Sequence, residues 1–260
     1  MWNVMKAQIY QLKRDIMAWG SIFFGLVIIF IMNMESFENG MTGSEGLAYM
    51  GASMTQISGL LPIMIIVANV MGKDFVDKTL NYEILSGHSR KEVFLGRLLV
   101  AIVPGVLSSF LTIASVPLVL TAINGWGNSL ELNGVLIRFG LIFITLIRIA
   151  CEIVFLTMLT KNHYLTYFLS YTFGVVQILV VMIQTELTDS DVTPLLPVAN
   201  CGQLLTFQDW TTFYLDETDQ ILYSSAVTSE MALWAIIPSV VIGAVVILLA
   251  YVFFKHDDLN

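Results

Sequence analysis

Six long apolar segments separated by polar stretches dominate the pattern of this 260-residue chain. A helix needs about 20 mostly apolar residues to cross the hydrocarbon core of a bilayer. Because each segment approaches or exceeds that length, the pattern predicts an all-α integral membrane protein made of one transmembrane domain. The six predicted transmembrane helices cover about residues 16–34, 48–71, 98–123, 134–159, 164–184 and 230–254.

Prolines and an amphipathic start add detail to this pattern. Pro62 falls in the middle of the second predicted span and is expected to kink it, and Pro104 and Pro117 fall in the third. Before the first span, apolar residues recur at alternating spacings of three and four, as on one stripe of a helix. This stretch predicts either an interfacial helix on the membrane surface or an extension of the first span. The stripe consists of Trp2, Met5, Ile9, Leu12 and Ile16.

The distribution of basic residues predicts the orientation, because Lys and Arg concentrate in cytoplasmic loops beside membrane spans. Placing both termini in the cytoplasm puts ten of the 12 Lys and Arg on that side and none in the outer loops. The outer loops then hold twelve of the 20 Asp and Glu, and the longest of them is the outer segment 185–229. Five of the basic residues fall in the cytoplasmic loop 72–97: Lys73, Lys78, Arg90, Lys91 and Arg97.

Composition excludes several classes of protein. Hydrophobic residues make up 57% of the chain and charged residues only 12%, with a mean hydropathy of +0.79. A soluble domain typically has about 25% charged residues. The net charge of −8 gives no reason to expect a nucleic-acid partner. Cys151 and Cys201 form no disulfide framework or metal motif, and no phosphate-binding loop or protease motif occurs, so no catalytic residue, metal site or bound cofactor is expected.

The loop 72–97 carries ordered start and stop signals. Its apolar residues near helical spacing predict one apolar face on a helix from Phe75 to Leu85. Gly87 suits the left-handed residue that ends a helix, and Ser89 and Glu92 form a Ser-x-x-Glu capping box for the next one. We interpret the stretch as a docking helix for another protein, with an ordinary solvated loop as the alternative. The candidate docking residues are Phe75, Val76, Leu80, Glu83, Ile84, Leu85, Arg90 and Lys91.

The same loop resembles a segment of the exporter-type (type-2) ABC transporter permeases. The resemblance rests on the run Gly-His-Ser-Arg-Lys-Glu-Val-Phe-Leu-Gly-Arg over residues 87–97 and on Lys78-Thr79-Leu80, where the family commonly has Gly-Thr-Leu. Gly96-Arg97 stands for the family's Gly-Lys, and Gly87-His88 replaces the Pro that commonly precedes Ser-Arg. An N-terminal surface helix and six spans also match the family.

This resemblance implies a function that composition alone does not show. The loop 72–97 would be a coupling element that contacts a separate ATPase subunit, which holds ATP and magnesium. Two permease chains, identical or homologous, would share a central pathway in the plasma membrane of a bacterial cell. The outer segment would contain re-entrant short helices, for which Pro194, Pro197 and residues 199–205 are the candidates.

Polar residues inside two predicted spans are candidates for the pathway. Arg138, Arg148 and Glu152 fall within roughly an 80° arc of the fourth helix. Arg148 and Glu152 are four residues apart and can pair, whereas Arg138 is expected to snorkel to the outer end. The polar face of the fifth span includes Tyr171 and Gln177. The alternative is that these residues only form hydrogen bonds between helices and hold the bundle together.

The sequence thus favours the membrane-spanning subunit of an ATP-driven ABC exporter, with no ATPase site of its own. One alternative is a non-transporting immunity or sensor component of the membrane. Another is a secondary transporter driven by an ion gradient, in which Arg148 and Glu152 take part in the coupling.

Overall fold

The computed structural model describes residues 1–52, 55–187, 193–207 and 225–256. All regular secondary structure in these ranges is helical, which confirms the predicted all-α class. Two 3-10 helices, Thr55–Leu60 and Thr193–Leu195, accompany the α-helices. The α-helices are α1 (Trp2–Arg14), α2 (Ile16–Met32), α3 (Met34–Glu38), α4 (Gly43–Ala52), α5 (Leu61–Val76), α6 (Leu80–Leu85), α7 (Arg90–Asn124), α8 (Leu132–Thr160), α9 (His163–Leu187), α10 (Pro197–Leu205) and α11 (Ser229–His256).

Five helical segments in these ranges are long and apolar enough to cross a membrane, namely Ser58–Val76, α7, α8, His163–Val181 of α9, and α11. The number becomes six if α1 and α2, which meet at an angle of 56°, count as one broken span. Several long apolar helices of this kind are characteristic of a multi-pass membrane protein. The predicted third, fourth, fifth and sixth spans each coincide with one long helix.

The bend between α1 and α2 lies at Asp15, whose backbone is extended and whose carboxylate accepts a hydrogen bond from the Met17 N–H at 2.9 Å. Asp15 is thus the N-cap of α2, so α1 is not a straight extension of the first span. Only part of the predicted apolar stripe packs against the rest of the protein, because Trp2 and Ile16 are exposed. Instead, α1 buries Val4 and the polar Gln8, since polar partners for Gln8 lie beneath the helix.

The second predicted span is built differently from the expectation of one helix kinked at Pro62. Its first part is α4, which is followed by the 3-10 helix Thr55–Leu60 and then by α5. Pro62 lies in the first turn of α5, where a helix tolerates a residue without an N–H group. The free N–H of the next residue, Ile63, donates to the Ser109 hydroxyl at 2.9 Å. The helix also continues beyond residue 71 to Val76.

The helix α7 is the longest element described, with 35 residues and a length of about 52 Å. It contains Pro104 and Pro117 and starts inside the predicted docking loop, at Arg90. The core lies where α7 packs against α5 and α8, and α11 packs along α8. We refer to the end of the bundle with α6 and the start of α7 as the α6 end, and to the opposite end, with α10, as the α10 end.

Candidate functional site

The stretch between α5 and α7 consists of two helical pieces rather than the one predicted helix from Phe75 to Leu85. Phe75 and Val76 end α5, and α6 begins only at Leu80. Between them Lys78 adopts a left-handed backbone conformation with φ of 54°, which interrupts the helix. The predicted stop is confirmed, since Gly87 has φ of 93° after α6.

The predicted capping box at the start of α7 is also confirmed. The Ser89 hydroxyl accepts from the Glu92 N–H at 3.3 Å, and the Glu92 carboxylate accepts from the Ser89 N–H at 3.2 Å. Arg90, in the first turn, donates to the backbone carbonyl of Lys255 at 2.7 Å and so ties α7 to the last turn of α11. Lys91 is exposed.

Part of the predicted apolar face points into the protein. The ring of Phe75 packs edge-on against Phe254 of α11, with 6.3 Å between ring centroids. Ile84 is half-buried and packs against the core. These two residues therefore hold the stretch to the bundle and are not free for a partner. The side chain of Leu80 lies outside the part of the structure that is described.

Other residues of the stretch face outward. Leu85 is 80% exposed and Val76 is 40% exposed. Tyr82, which is not among the docking residues predicted from the sequence, is 71% exposed on α6. Three large apolar or aromatic side chains thus project from the α6 end, and two of them, Tyr82 and Leu85, belong to α6 itself. The sequence contained a signal for this pair, because residues three apart on a helix share a face.

A buried ionic cluster lies directly beneath α6. Arg97 of α7 is only 1% exposed, and its Nη2 lies 2.6 Å from Asp74 Oδ2 and 2.9 Å from Glu83 Oε2. Its Nε also donates to Glu83 Oε2 at 3.1 Å. Asp74 belongs to α5 and Glu83 to α6. One guanidinium therefore joins three helices at the point where the chain leaves and re-enters the bundle.

Two neutral side chains complete this Arg97 cluster, which we define as Arg97, Asp74, Glu83, Gln8 and Thr79. Gln8 of α1 is 2% exposed, and its amide donates to Asp74 at 3.4 Å and to Glu83 at 3.2 Å. The Thr79 hydroxyl donates to the other oxygen of Asp74 at 2.6 Å. The cluster thus includes α1, α5, α6 and α7, so displacement of α6 acts on three other helices.

Arg97 contributed to the predicted orientation and to the family resemblance, but its role in this cluster was not predicted from the sequence. A signal existed, because Val93, Phe94 and Ala101 place Arg97 in the middle of an apolar helical face. A buried arginine in such a face requires an acidic partner. Which acid serves as the partner depends on how α5 and α6 pack, and no spacing along the chain reveals it.

At the α10 end, the prediction that Arg138 snorkels to the outer end of the helix is wrong. It is 5% exposed, and its guanidinium donates to the carbonyls of Thr206 at 3.0 Å and Ala226 at 2.9 Å. The guanidinium also lies over the ring of Phe207, 4.7 Å from its centroid. Arg138 therefore holds two parts of the outer segment against α8.

Arg148 makes the predicted pair with Glu152, with 2.9 Å from Nε to Oε1. Its Nη2 also donates to the carbonyl of Leu195 at 2.6 Å. Arg138 and Arg148 are ten residues, or about 15 Å, apart along α8. Leu195 thus lies near the middle of α8 and Thr206 nearer its start. The nine-residue α10, about 13 Å long, covers the distance between these two levels.

Gln177 of α9 holds the other side of α10. It is 2% exposed, and its side-chain oxygen accepts from the Val198 N–H, in the first turn of α10, at 2.9 Å. Tyr171 instead is 51% exposed on the surface of α9 and lines no interior path in this conformation. The structure therefore brings Arg138, Arg148 and Gln177 together around the short helices of the outer segment. Its parts 188–192 and 208–224 lie outside the described residues.

Among the residues described, no group of three or more His, Cys, Asp or Glu side chains is placed to hold a metal ion. Comparison with known proteins adds no family to this geometry. No family model matches the chain, and no curated protein matches it.

Proposed function

We propose that this chain is the membrane-spanning permease subunit of an ATP-driven exporter, and that α6 docks onto a separate ATPase subunit. The α6 end lies in the cytoplasm in this proposal, as the distribution of Lys and Arg favours. The observation that carries the proposal is an outward-facing patch, Val76, Tyr82 and Leu85, on a segment joined to three helices by the Arg97 cluster.

The chemistry of this patch suits a protein partner. Aromatic and aliphatic side chains that project from a polar surface are typical centres of protein interfaces. The neighbouring Arg90 and Lys91 would form a basic rim around the patch. Because Leu85 is 80% exposed at an end of the bundle, a partner subunit would remove it from water.

The cluster provides a path by which docking acts on the bundle. A shift of α6 moves Glu83, which is bound to Arg97 of α7, and Arg97 also binds Asp74 of α5. Closure of an ATPase dimer, with ATP and magnesium bound to it, would therefore change the packing of α5 against α7. Two permease chains, identical or homologous, would form the pathway between them.

The experiment is co-expression with an ATPase encoded by a neighbouring reading frame that carries a phosphate-binding loop. Leu85→Asp and Tyr82→Asp are expected to abolish the complex in size-exclusion chromatography and its transport-linked ATP hydrolysis. Leu85→Met is the matched control and should retain both. A complex that survives the two Asp substitutions with normal ATP turnover would show that α6 is not the docking helix.

The same preparation tests the ion-driven alternative, which the buried pair of Arg148 and Glu152 favours. In a transporter driven by an ion gradient, Glu152→Gln abolishes transport in the absence of any ATPase. In the proposed exporter, transport requires the ATPase, and Leu85→Asp abolishes it. A chain that neither transports nor binds an ATPase would instead fit the immunity or sensor alternative.

A further inference from the structure

A cavity of about 360 Å³ opens at the α6 end, between the bend from α1 to α2 and the last turns of α5. Its floor is polar and buried, since Gln8, Asn69 and Asp74 are 2%, 5% and 8% exposed. Its rim includes Arg14 and Lys73, both exposed. A polar floor below a charged, open rim is a suitable site for a polar ligand rather than an apolar one.

The charges around this cavity are of both signs. Asp74 pairs with Arg97 at 2.6 Å and shares this guanidinium with Glu83, and Asp15 and Asp77 are the other acidic groups of the lining. Arg14 and Lys73 provide two positive charges. Throughout the described ranges, none of these four residues forms an ion pair with another residue. Asp15 is held in place by the Asn69 amide at 2.9 Å.

Two cations beside two carboxylates match a ligand that carries one anionic and one cationic group. A purely anionic ligand would be repelled by Asp15 and Asp77, and a purely cationic ligand by Arg14 and Lys73. A phosphate group is a natural partner for Arg and Lys, and a primary ammonium donates hydrogen bonds to carboxylates.

The position of the cavity indicates where such a ligand comes from. Immediately after Asp15, the first turn of α2 exposes Ile16 by 82%, Met17 by 47% and Trp19 by 58%. Tryptophan and basic residues concentrate at the headgroup level of a membrane, and apolar side chains beside them contact the acyl chains. The polar cavity and this apolar surface are therefore arranged as a phospholipid is, with its headgroup beside its chains.

We propose that this cavity binds a glycerophospholipid with a zwitterionic, primary-amine headgroup, which is phosphatidylethanolamine. Arg14 and Lys73 contact its phosphate, and Asp15 and Asp77 accept hydrogen bonds from its ammonium group. The bound lipid would brace the bend between α1 and α2 against α5, next to Gln8 and Asp74 of the Arg97 cluster. This inference is independent of the ATPase proposed above, because it requires no partner protein.

Lipid binding to the purified full chain can be measured by native mass spectrometry in detergent, with lipids of identical acyl chains. Phosphatidylethanolamine is expected to bind about tenfold more tightly than phosphatidylcholine or phosphatidylglycerol, since one charge-assisted hydrogen bond corresponds to that factor. Lys73→Gln should weaken the binding of the ethanolamine lipid and of the choline lipid alike, because both contain the phosphate. Asp77→Asn should weaken binding of the ethanolamine lipid more than binding of the choline lipid, because the choline group is cationic but donates no hydrogen bond.

Lys91→Gln is the matched control, an exposed cation of the same end that does not line the cavity. It should leave all three affinities unchanged, and unchanged melting temperatures would show that the variants are folded. Equal affinities for the three lipids would overturn the proposal, as would an equal effect of Lys91→Gln. Displacement of the lipid by millimolar phosphoethanolamine would also overturn it, because the site would then belong to a soluble ligand.

Discussion

Replacement of Arg97 by Met is the sharpest test of the Arg97 cluster. Methionine keeps an unbranched apolar stem but lacks the guanidinium end and its charge, so Asp74 stays buried with no cation beside it. Removal of one partner from a buried ion pair costs about 3–5 kcal/mol. Asp74 keeps its hydrogen bonds from Thr79 and Gln8, and the side chain of Glu83 is 22% exposed to solvent. We therefore expect the lower end of this range, about 3 kcal/mol.

In a chain of this size, about 3 kcal/mol corresponds to a melting temperature lower by roughly 6–12 °C. The assay is thermal unfolding of the purified chain in detergent, followed by size-exclusion chromatography of the heated samples. Asp74→Asn in the Arg97→Met background should recover at least half of the loss, because no uncompensated charge remains in the interior. Lys91→Met, at an exposed position, should change the free energy of unfolding by less than about 0.5 kcal/mol.

Two results would refute this reasoning. If Arg97→Met melted at the wild-type temperature, the cluster would contribute nothing to stability. If the double variant melted no higher than Arg97→Met, the loss would come from packing rather than from a buried charge.

Two further predictions concern the α10 end and the start of α7. Arg138→Met leaves the carbonyls of Thr206 and Ala226 without their donor, so amide hydrogen exchange over residues 204–207 and 225–226 should increase by about tenfold or more. Unchanged exchange there would contradict the role of Arg138 as the residue that holds the outer segment. Ser89→Ala removes the cap of α7 and should cost about 1 kcal/mol, or 2–4 °C in melting temperature. Ser89→Thr, which keeps the hydroxyl, should retain most of this stability, and equal losses in the two variants would contradict a capping role.

Local signals in the sequence were enough to predict the helical class and most of the helix positions. Hydropathy predicted residues 98–123 and 134–159, and the structure has helices over Arg90–Asn124 and Leu132–Thr160. The stop at Gly87 and the capping box at Ser89 were also correct. These features depend on neighbours within about four residues, and hydropathy depends only on composition along one segment.

Packing against distant residues decided the points at which the predictions failed. In the second predicted span, Gly51 lies against the backbone of Leu205, where a side chain would clash, and the chain turns into a 3-10 helix before α5 begins. Hydropathy cannot register such a contact, because residues 51 and 205 are far apart in the sequence. The inward orientation of Phe75 was missed for the same reason, because its contact residue Phe254 is far away in the sequence.

The stretch from residue 72 to 97 shows most clearly which properties the sequence determines and which depend on the tertiary structure. The sequence by itself determined that it is basic, that it is helical, and that it restarts at Ser89, because charge and capping are local properties. Only the tertiary structure decided that Lys78 splits it and that Arg97 binds Asp74 and Glu83. The physical reason is that a buried charge is tolerated only beside its counter-charge, and the fold brings three separate helices together at that one point.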